Sequence, residues 1–445
     1  MHTAKVPAFR TTPAAGIRAF TSPFSRPPLK RGRHKEQLMQ TVSRRHLAPW
    51  AAAAALALAP LFVPMAAHAQ NGFKIVASGL NNPHGLTFGA DGSLYIAEAG
   101  TGGNGASLKS GDGSIVSYGA TGSVTRLLGG TQTRILTGLP SLGDQTTKPD
   151  PGAGATGLQD LAFGKDGSLY GVIGLGANTS LQAGAGPNFA TLVKLDPTTN
   201  SIQKIADLGA FETKNNPDGT ATDSNPYSLA VLADGSFAVA DAGGNDIVGI
   251  SADGSTLSTL GVLPTQPNSI FPIGPPHIQG VPTGLVVGPD GASYVGELTG
   301  FPYPVGGASV YRLDPKTGVS TVVAEGFTNI GDLTFGPDGK LYVLEISTNG
   351  LASPNGPGTG ALIAVDTATG KQTSLATTGL FLPTGLTAGP DNALYISNLG
   401  VSPGGGQVLR YGLTPVPEAS TTLSLGLMLA LGGLAFAVRR RKAAP

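Results

Sequence analysis

Glu98, Asp241, Glu297, Glu345 and Asn398 occupy one recurring place in this chain, at the end of a short apolar stretch that follows an Asp-Gly or Asp-Asn pair; Ile173 is the apolar exception. Oxygen side chains gathered in this way suit a hard cation such as Ca²⁺. A cation with an open position and a nearby base could activate water for hydrolysis. His84, Asp160, Asp332, Thr283 and Thr384 begin neighbouring stretches and belong to the same rim. A quieter role is open to all of them, because a carboxylate here can accept hydrogen bonds from the amides of the adjacent loop. Repetition at equivalent positions favours that structural role.

The densest polar segment runs Phe211-Glu212, Asn215-Asn216-Pro217-Asp218-Gly219 and Asp223-Ser224-Asn225-Pro226-Tyr227, followed by Asp241-Ala242-Gly243-Gly244-Asn245-Asp246. Its oxygens suit Ca²⁺, although the spacing is not that of an EF-hand and Asx-turns account for it equally well. The candidate ligand-binding residues are His84, Glu98, Asp160, Asp223, Asn225, Asp241, Asn245, Glu297 and Glu345; the candidate metal ligands are Asp223, Asp241 and Glu297. Catalysis has little else to draw on. The chain has no Cys and no G-x-S-x-G elbow, and beyond residue 70 its His residues are His84 and His277.

The elements that must position these residues are written as a repeat. One copy reads Pro83-His84-Gly85-Leu86-Thr87-Phe88-Gly89-Ala90-Asp91-Gly92-Ser93-Leu94-Tyr95-Ile96-Ala97-Glu98. Further copies centre on Asp166-Gly167, Asp234-Gly235, Asp290-Gly291, Asp338-Gly339 and Asp391-Asn392. Each reads as a strand, a tight turn that needs positive φ, and a second alternating strand. Two more strands follow, as in Ser309–Asp314 and Ser320–Ala324 around the turn Pro315-Lys316-Thr317-Gly318. Four antiparallel strands per copy, at a period of roughly 50–75 residues, predict a propeller of six blades.

The ends of the array complement each other. Phe73-Lys74-Ile75-Val76-Ala77 matches a fourth strand, and Gln407-Val408-Leu409-Arg410-Tyr411 matches a third. The N-terminal strand is therefore expected to close the last blade and cover its bare edge. Strand order sends every long insertion, among them Ala99–Gly113, Gly138–Ala155 and Ser347–Gly360, to one face, where binding usually resides on a rigid scaffold.

Composition narrows the partners. Charged residues are 12% of the 445, the net charge is +1, and Gly numbers 67. No basic surface for nucleic acid is expected, and closure must do what disulfides cannot. Ala67-His68-Ala69 reads as a signal-peptidase site ending at Ala69, behind Arg44-Arg45 and an apolar run, with Met39 as a natural start. Sec export is favoured over twin-arginine export. At the other end Val416-Pro417-Glu418 precedes an apolar helix over 420–438 and Arg439-Arg440-Arg441-Lys442. At about 19 residues that helix is near the minimum that spans a bilayer.

Val-Pro-Glu, apolar span and Arg cluster together resemble the PEP-CTERM sorting signal of Gram-negative bacteria that make exopolysaccharide. The resemblance implies recognition of Pro417 and Glu418 by an exosortase and loss of the helix with Arg439, Arg440 and Arg441. Asn82-Pro83-His84-Gly85-Leu86, Asn215-Asn216-Pro217-Asp218, Asp223-Ser224-Asn225-Pro226-Tyr227, Asp241–Asp246 and Glu297-Leu298-Thr299-Gly300-Phe301-Pro302 are similar to the ScyD/ScyE family, with His84 where that family has Arg. This resemblance implies an exported six-bladed propeller and brings no catalytic residues.

The reading is an all-β protein: a signal-peptide region over 1–69, a single six-bladed β-propeller over 70–414 closed by an N-terminal strand, and a sorting signal with one transmembrane helix over 415–445. The expected role is a monomeric binding or scaffold protein of the outer surface or extracellular matrix, partnered by exopolysaccharide or a surface protein. The alternative is a Ca²⁺-dependent lactonase-like hydrolase on the long-loop face.

Overall fold

The computed structural model describes residues 72–413, except 315 and 316. The sorting signal, the signal peptide and the C-terminal helix lie outside the described residues. Among the described residues, no helix is long and apolar enough to cross a membrane.

Six antiparallel sheets form the blades of a propeller. Their inner strands are Pro83–Phe88, Leu158–Phe163, Pro226–Val231, Pro282–Val287, Ile330–Phe335 and Gly385–Ala388. Each touches the next and the last touches the first, so the ring is closed. Blade four shows the pattern: Pro282–Val287, Ser293–Glu297, Ala308–Leu313 and Ser320–Phe327 pair in chain order from axis to rim. In blade six the order is Gly385–Ala388, Ala393–Asn398, Gly406–Gly412, and then Phe73–Leu80 from the other end of the array. The expected closing strand is present.

The repeated Asp-Gly pair makes each first turn. Gly92, Gly167, Gly235, Gly291, Gly339 and Asn392 all have positive φ, where a side chain with a Cβ is disfavoured and Gly or Asn fits. The Asp before them accepts the amide two residues on, at 3.0 Å for Ser93, Ser168 and Ser236. Tyr170, Tyr342 and Tyr395 of the second strands donate to the same carboxylates at 3.0–3.1 Å. The repeat is thus a turn and its own fastening.

Between neighbouring blades lies a separate apolar core, and the Leu of each inner strand enters one: Leu86, Leu161, Leu229, Leu285, Leu333 and Leu386. Burying such a side chain is worth about 1.5–3 kcal/mol, so blade-to-blade contact carries the stability that disulfides do not. Packing at the axis is close enough to demand glycine. A Cβ on Gly85 would collide with the Asp160 carboxylate, and one on Gly385 with the His84 carbonyl.

Blade one departs from the plain pattern. Its outer strands, Ile115–Leu128 and Thr131–Gly143, run far past the sheet and take Ser107–Lys109 as an extra partner. Gly138–Gly143, read from sequence as insertion, is strand. The long connections also fold locally. Leu208–Asn215 is a helix whose N-cap, Asp207, accepts from Ala210 N at 3.0 Å and whose C-cap, Asn216, is left-handed. The all-β expectation therefore holds for the blades and gains, among the described residues, two short α-helices, this one and Gln182–Ala185, and a 3-10 turn at Thr179–Leu181.

Candidate functional site

The rim carboxylates at the second-strand ends hold loops. Glu345 Oε1 accepts Thr328 N at 2.7 Å, Glu98 Oε2 accepts Asn81 N at 2.7 Å, and Asn398 Oδ1 accepts Phe381 N at 2.7 Å. Asp241 does the same for Asn225 N at 2.6 Å and adds Ser224 Oγ, Gly243 N and Gly244 N. Glu98 also takes Thr125 Oγ1 and an ion pair with Arg134 at 2.8 Å. Glu297 turns to Gln266 Nε2, Ser309 N and the Tyr311 hydroxyl at 2.9–3.3 Å. Burial pushes Glu297 and Glu345 up to about 7, against the pull of those amide bonds. Asp223, Asp241 and Glu297 are not gathered into one cluster: among the described residues no group of three His, Asp or Glu that could hold a metal is found.

Nearer the axis, a bulge interrupts the start of the inner strands in blades one to five. A bulge re-aims side chains out of the strand alternation, here His84, Gln159, Tyr227 and Thr283. The rings of His84 and Tyr227, from non-adjacent blades, meet edge to face at 5.7 Å. Asp160 spans to the next blade, accepting Leu229 N at 2.8 Å and Ser228 Oγ at 3.1 Å. Asp332 accepts Leu386 N at 2.7 Å in the same manner. Thr283 and Thr384 donate to Ile330 O and Pro83 O, also across blade boundaries. These residues are staples between inner strands, beside a channel cavity of about 280 Å³. Burial, and for Asp332 the charge of Asp160, raises both carboxyls. Burial lowers His84 to about 4, leaving a neutral imidazole whose Nδ1 is unpartnered.

The blade-three corner is different, because oxygens there are left over. Glu212, 2% exposed, sits in the helix Leu208–Asn215, and Asp246, 1% exposed, opens the strand Asp246–Ile250. Oε1 of Glu212 and both oxygens of Asp246 are buried without a hydrogen-bond partner. The amide oxygens of Asn216 and Asn245 are unpartnered too. Asn245 Nδ2 donates to Asp218 at 2.6 Å. Burial, reinforced by the charge of Asp241, pushes Glu212 up to about 7 and Asp246 up to about 9. Of the sequence candidates, Asp241 and Asn245 lie at this corner. Asp223 is near enough for its charge to help raise Glu212, while its carboxylate pairs with Asn178 of blade two; Asn225 directs its amide oxygen at Gly174. Glu212 and Asp246 stand in the densest polar segment of the sequence, but nothing there distinguishes them from their neighbours, because burial without a partner is a tertiary property.

A cavity of about 260 Å³ opens beside this corner, lined by Asp218, Thr220, Asn245, Pro264, Gln279 and Gly280. Next to it the two long connections of blade four expose apolar side chains: Phe271 is 59% exposed, Phe301 48% and Val305 65%. A Cβ on Gly274 would stand 3.1 Å from the Phe301 ring, so the two loops meet. Phe301 and Tyr303 pack edge to face at 6.1 Å. His277, in the short strand His277–Ile278, is exposed beside them. A larger cavity, about 660 Å³, lies on the opposite, short-turn face between blades three and four; its lining includes Leu232, Thr259, Gly291 and Leu313 and none of the sequence candidates. The chemistry-bearing groups and this hollow are on opposite faces.

No protein-family model matches the chain, and no curated protein matches it in sequence. Among solved structures it is similar to virginiamycin B lyase from Staphylococcus aureus, at 16% identity over 77% of this chain and 89% of that one, with a TM-score of 0.41. It is also similar to a calcium-binding protein, regucalcin, from Agrobacterium tumefaciens, at 14% identity over 76% and 92% with a TM-score of 0.42. A gluconolactonase from Xanthomonas campestris gives 12% identity over 76% and 88%, with a TM-score of 0.44.

Proposed function

We propose that the protein is an exported, surface-sorted propeller of the ScyD/ScyE kind that binds a glycan of the extracellular matrix through its long-loop face. The observation that supports this reading is that exposed Phe271 and Phe301 stand on two loops that meet, one of which adjoins Gln279 of the polar cavity lined also by Asp218, Thr220 and Asn245. Aromatic faces cover the apolar faces of sugar rings, while amides and carboxylates take their hydroxyls. An exposed apolar patch rimmed by polar groups is what a binding surface presents. The rim carboxylates, meanwhile, are engaged with backbone amides and are poorly placed to serve as general bases.

Binding of matrix polysaccharide by the purified protein tests the reading. Phe271→Ala with Phe301→Ala should weaken binding at least tenfold and leave the melting temperature unchanged, since both rings are exposed. Undiminished binding would remove this face from its role. Export and sorting rest on Ala69, Pro417, Glu418 and the Arg439–Arg441 cluster. Mass spectrometry of protein from cells with an exosortase should find no peptide from Leu423–Arg441; an intact C-terminus would refute sorting.

The second reading, a metal-dependent lactonase-like hydrolase, draws on Asp160 and Asp332, whose raised carboxyls face the channel cavity. Lactone hydrolysis by wild type, abolished in Asp332→Asn without loss of folding, would favour it.

A further inference from the structure

We infer that the blade-three corner is a Ca²⁺ site in which Glu212 and Asp246 bind the cation and the amide oxygens of Asn216 and Asn245 complete the oxygen set. The two carboxylates face one another across Gly244. A Cβ placed there would stand 3.0 Å from Asp246 Oδ1 and 3.2 Å from Glu212 Oε2. Both side chains are almost fully buried, and three of their four oxygens have no partner in the protein. Buried carboxylates ordinarily find amides, hydroxyls or a counter-charge. Their neighbours here are Asp241 and Asp218 and, for Glu212, Asp223, all of which add negative charge. Among the described residues, none of the ion pairs reaches this corner. A hard divalent cation supplies the missing charge and occupies the unpartnered oxygens together, using carboxylate and amide oxygens of the kind Ca²⁺ prefers.

The contrast with Asp241 separates ligands from fastenings. Asp241 lies directly opposite Asp246 in the hairpin ladder, yet it accepts four hydrogen bonds and has nothing left to offer. The proposed cation joins the helix Leu208–Asn215 to the hairpin Asp241–Asp246, two segments of the long-loop face. Asn245 links it to the neighbouring cavity through Asp218. The inference does not depend on what that cavity binds.

The test is a titration of the purified protein with CaCl₂ and with MgCl₂ at neutral pH, read by calorimetry and by melting temperature with and without EGTA. Wild type should bind one Ca²⁺ per chain and melt higher when it is bound. Asp246→Asn and Glu212→Gln should each weaken Ca²⁺ affinity at least tenfold. In EGTA both should melt no lower than wild type, because each replaces a buried carboxyl that nothing in the protein satisfies with a neutral group of the same shape. Wild type with neither heat nor a melting shift at about 5 mM Ca²⁺, above the roughly 10⁻⁴–10⁻³ M range of extracellular sites, would overturn the assignment, whether or not the variants fold. So would a Ca²⁺ response that survives in both variants, which would place the ion elsewhere. A wild type that melts higher only as pH falls, with no added effect of Ca²⁺, would show protons filling the corner instead.

Discussion

Thr328 and Glu345 are joined by a 2.7 Å hydrogen bond from the backbone N–H of the first to Oε1 of the second, seventeen residues on. The same span links Asn81 to Glu98 and Phe381 to Asn398. In blades one, three, five and six an acidic or amide side chain thereby ends the second strand and fixes the chain as it enters the inner strand. Glu345→Ala would leave the Thr328 amide buried without a partner and should cost about 2–3 kcal/mol. Glu345→Gln keeps the acceptor and should cost far less. Urea unfolding at pH 7 checks both; equal losses would show that shape rather than the hydrogen bond matters.

Stability should fall as pH rises from 5 to 8. Glu297 and Glu345 are pushed up to about 7 from an ordinary 4.5 by burial. The folded protein therefore holds these protons more tightly than the unfolded chain. The associated stability is complete below about pH 4.5 and is lost as pH passes through about 7. Each group accounts for roughly 1–3 kcal/mol across that window. Asp166 and Asp253, held at about 2 chiefly by hydrogen bonds that outweigh their desolvation, act only in stronger acid. Melting temperatures measured in EGTA should decline from pH 5 to pH 8, and Glu297→Gln with Glu345→Gln should flatten the slope. A wild-type profile that is flat or rising would contradict these assignments.

Asp160 gives a sharper test of the channel. Its carboxylate ties blade two to Leu229 and Ser228 of blade three. Asp160→Ala should cost about 2–4 kcal/mol by stranding those donors. If the channel only holds blades together, no esterase or lactonase activity will accompany or depend on the residue. Measurable lactone hydrolysis lost in Asp160→Asn at unchanged melting temperature would move the functional site to the axis.

Much of this was legible before any coordinates. The Asp-Gly turn must recur because positive φ is needed six times, and its period exposes the blades. The structural use of Glu98, Glu345 and Asn398 follows from repetition, since a function performed once has no reason to be written in every blade. What escaped was tertiary. The bulges that turn Gln159 and Tyr227 from the strand alternation carry no sequence signature. Gly138 disguises the end of the long blade-one hairpin as loop. Asp246 reads like Asp241, and only folding reveals that one is fully engaged and the other is not.

Ring closure depends on a strand from the far end of the array. Phe73 pairs with Tyr411, Ile75 with Leu409 and Ala77 with Val408. The Phe73 and Tyr411 rings stand 5.2 Å apart, and Phe73 enters the core between blades five and six. Deleting Phe73–Ala77 would leave Gly406–Gly412 with a row of unpaired amides and carbonyls, an invitation to pair with other molecules. It would also open two apolar cores, because Ala77 packs with Leu86 and Val408 between blades six and one. The truncated protein should lose its single cooperative transition and aggregate as concentration rises, as seen by calorimetry and size-exclusion chromatography. Phe73→Ala, which keeps the ladder and removes the ring, should cost about 3 kcal/mol and leave the protein monomeric. Adding a peptide of residues 72–80 to the truncated protein should restore part of the lost stability by refilling the edge. A truncated protein that melts like wild type would mean that five complete blades and a three-stranded sixth hold the ring unaided.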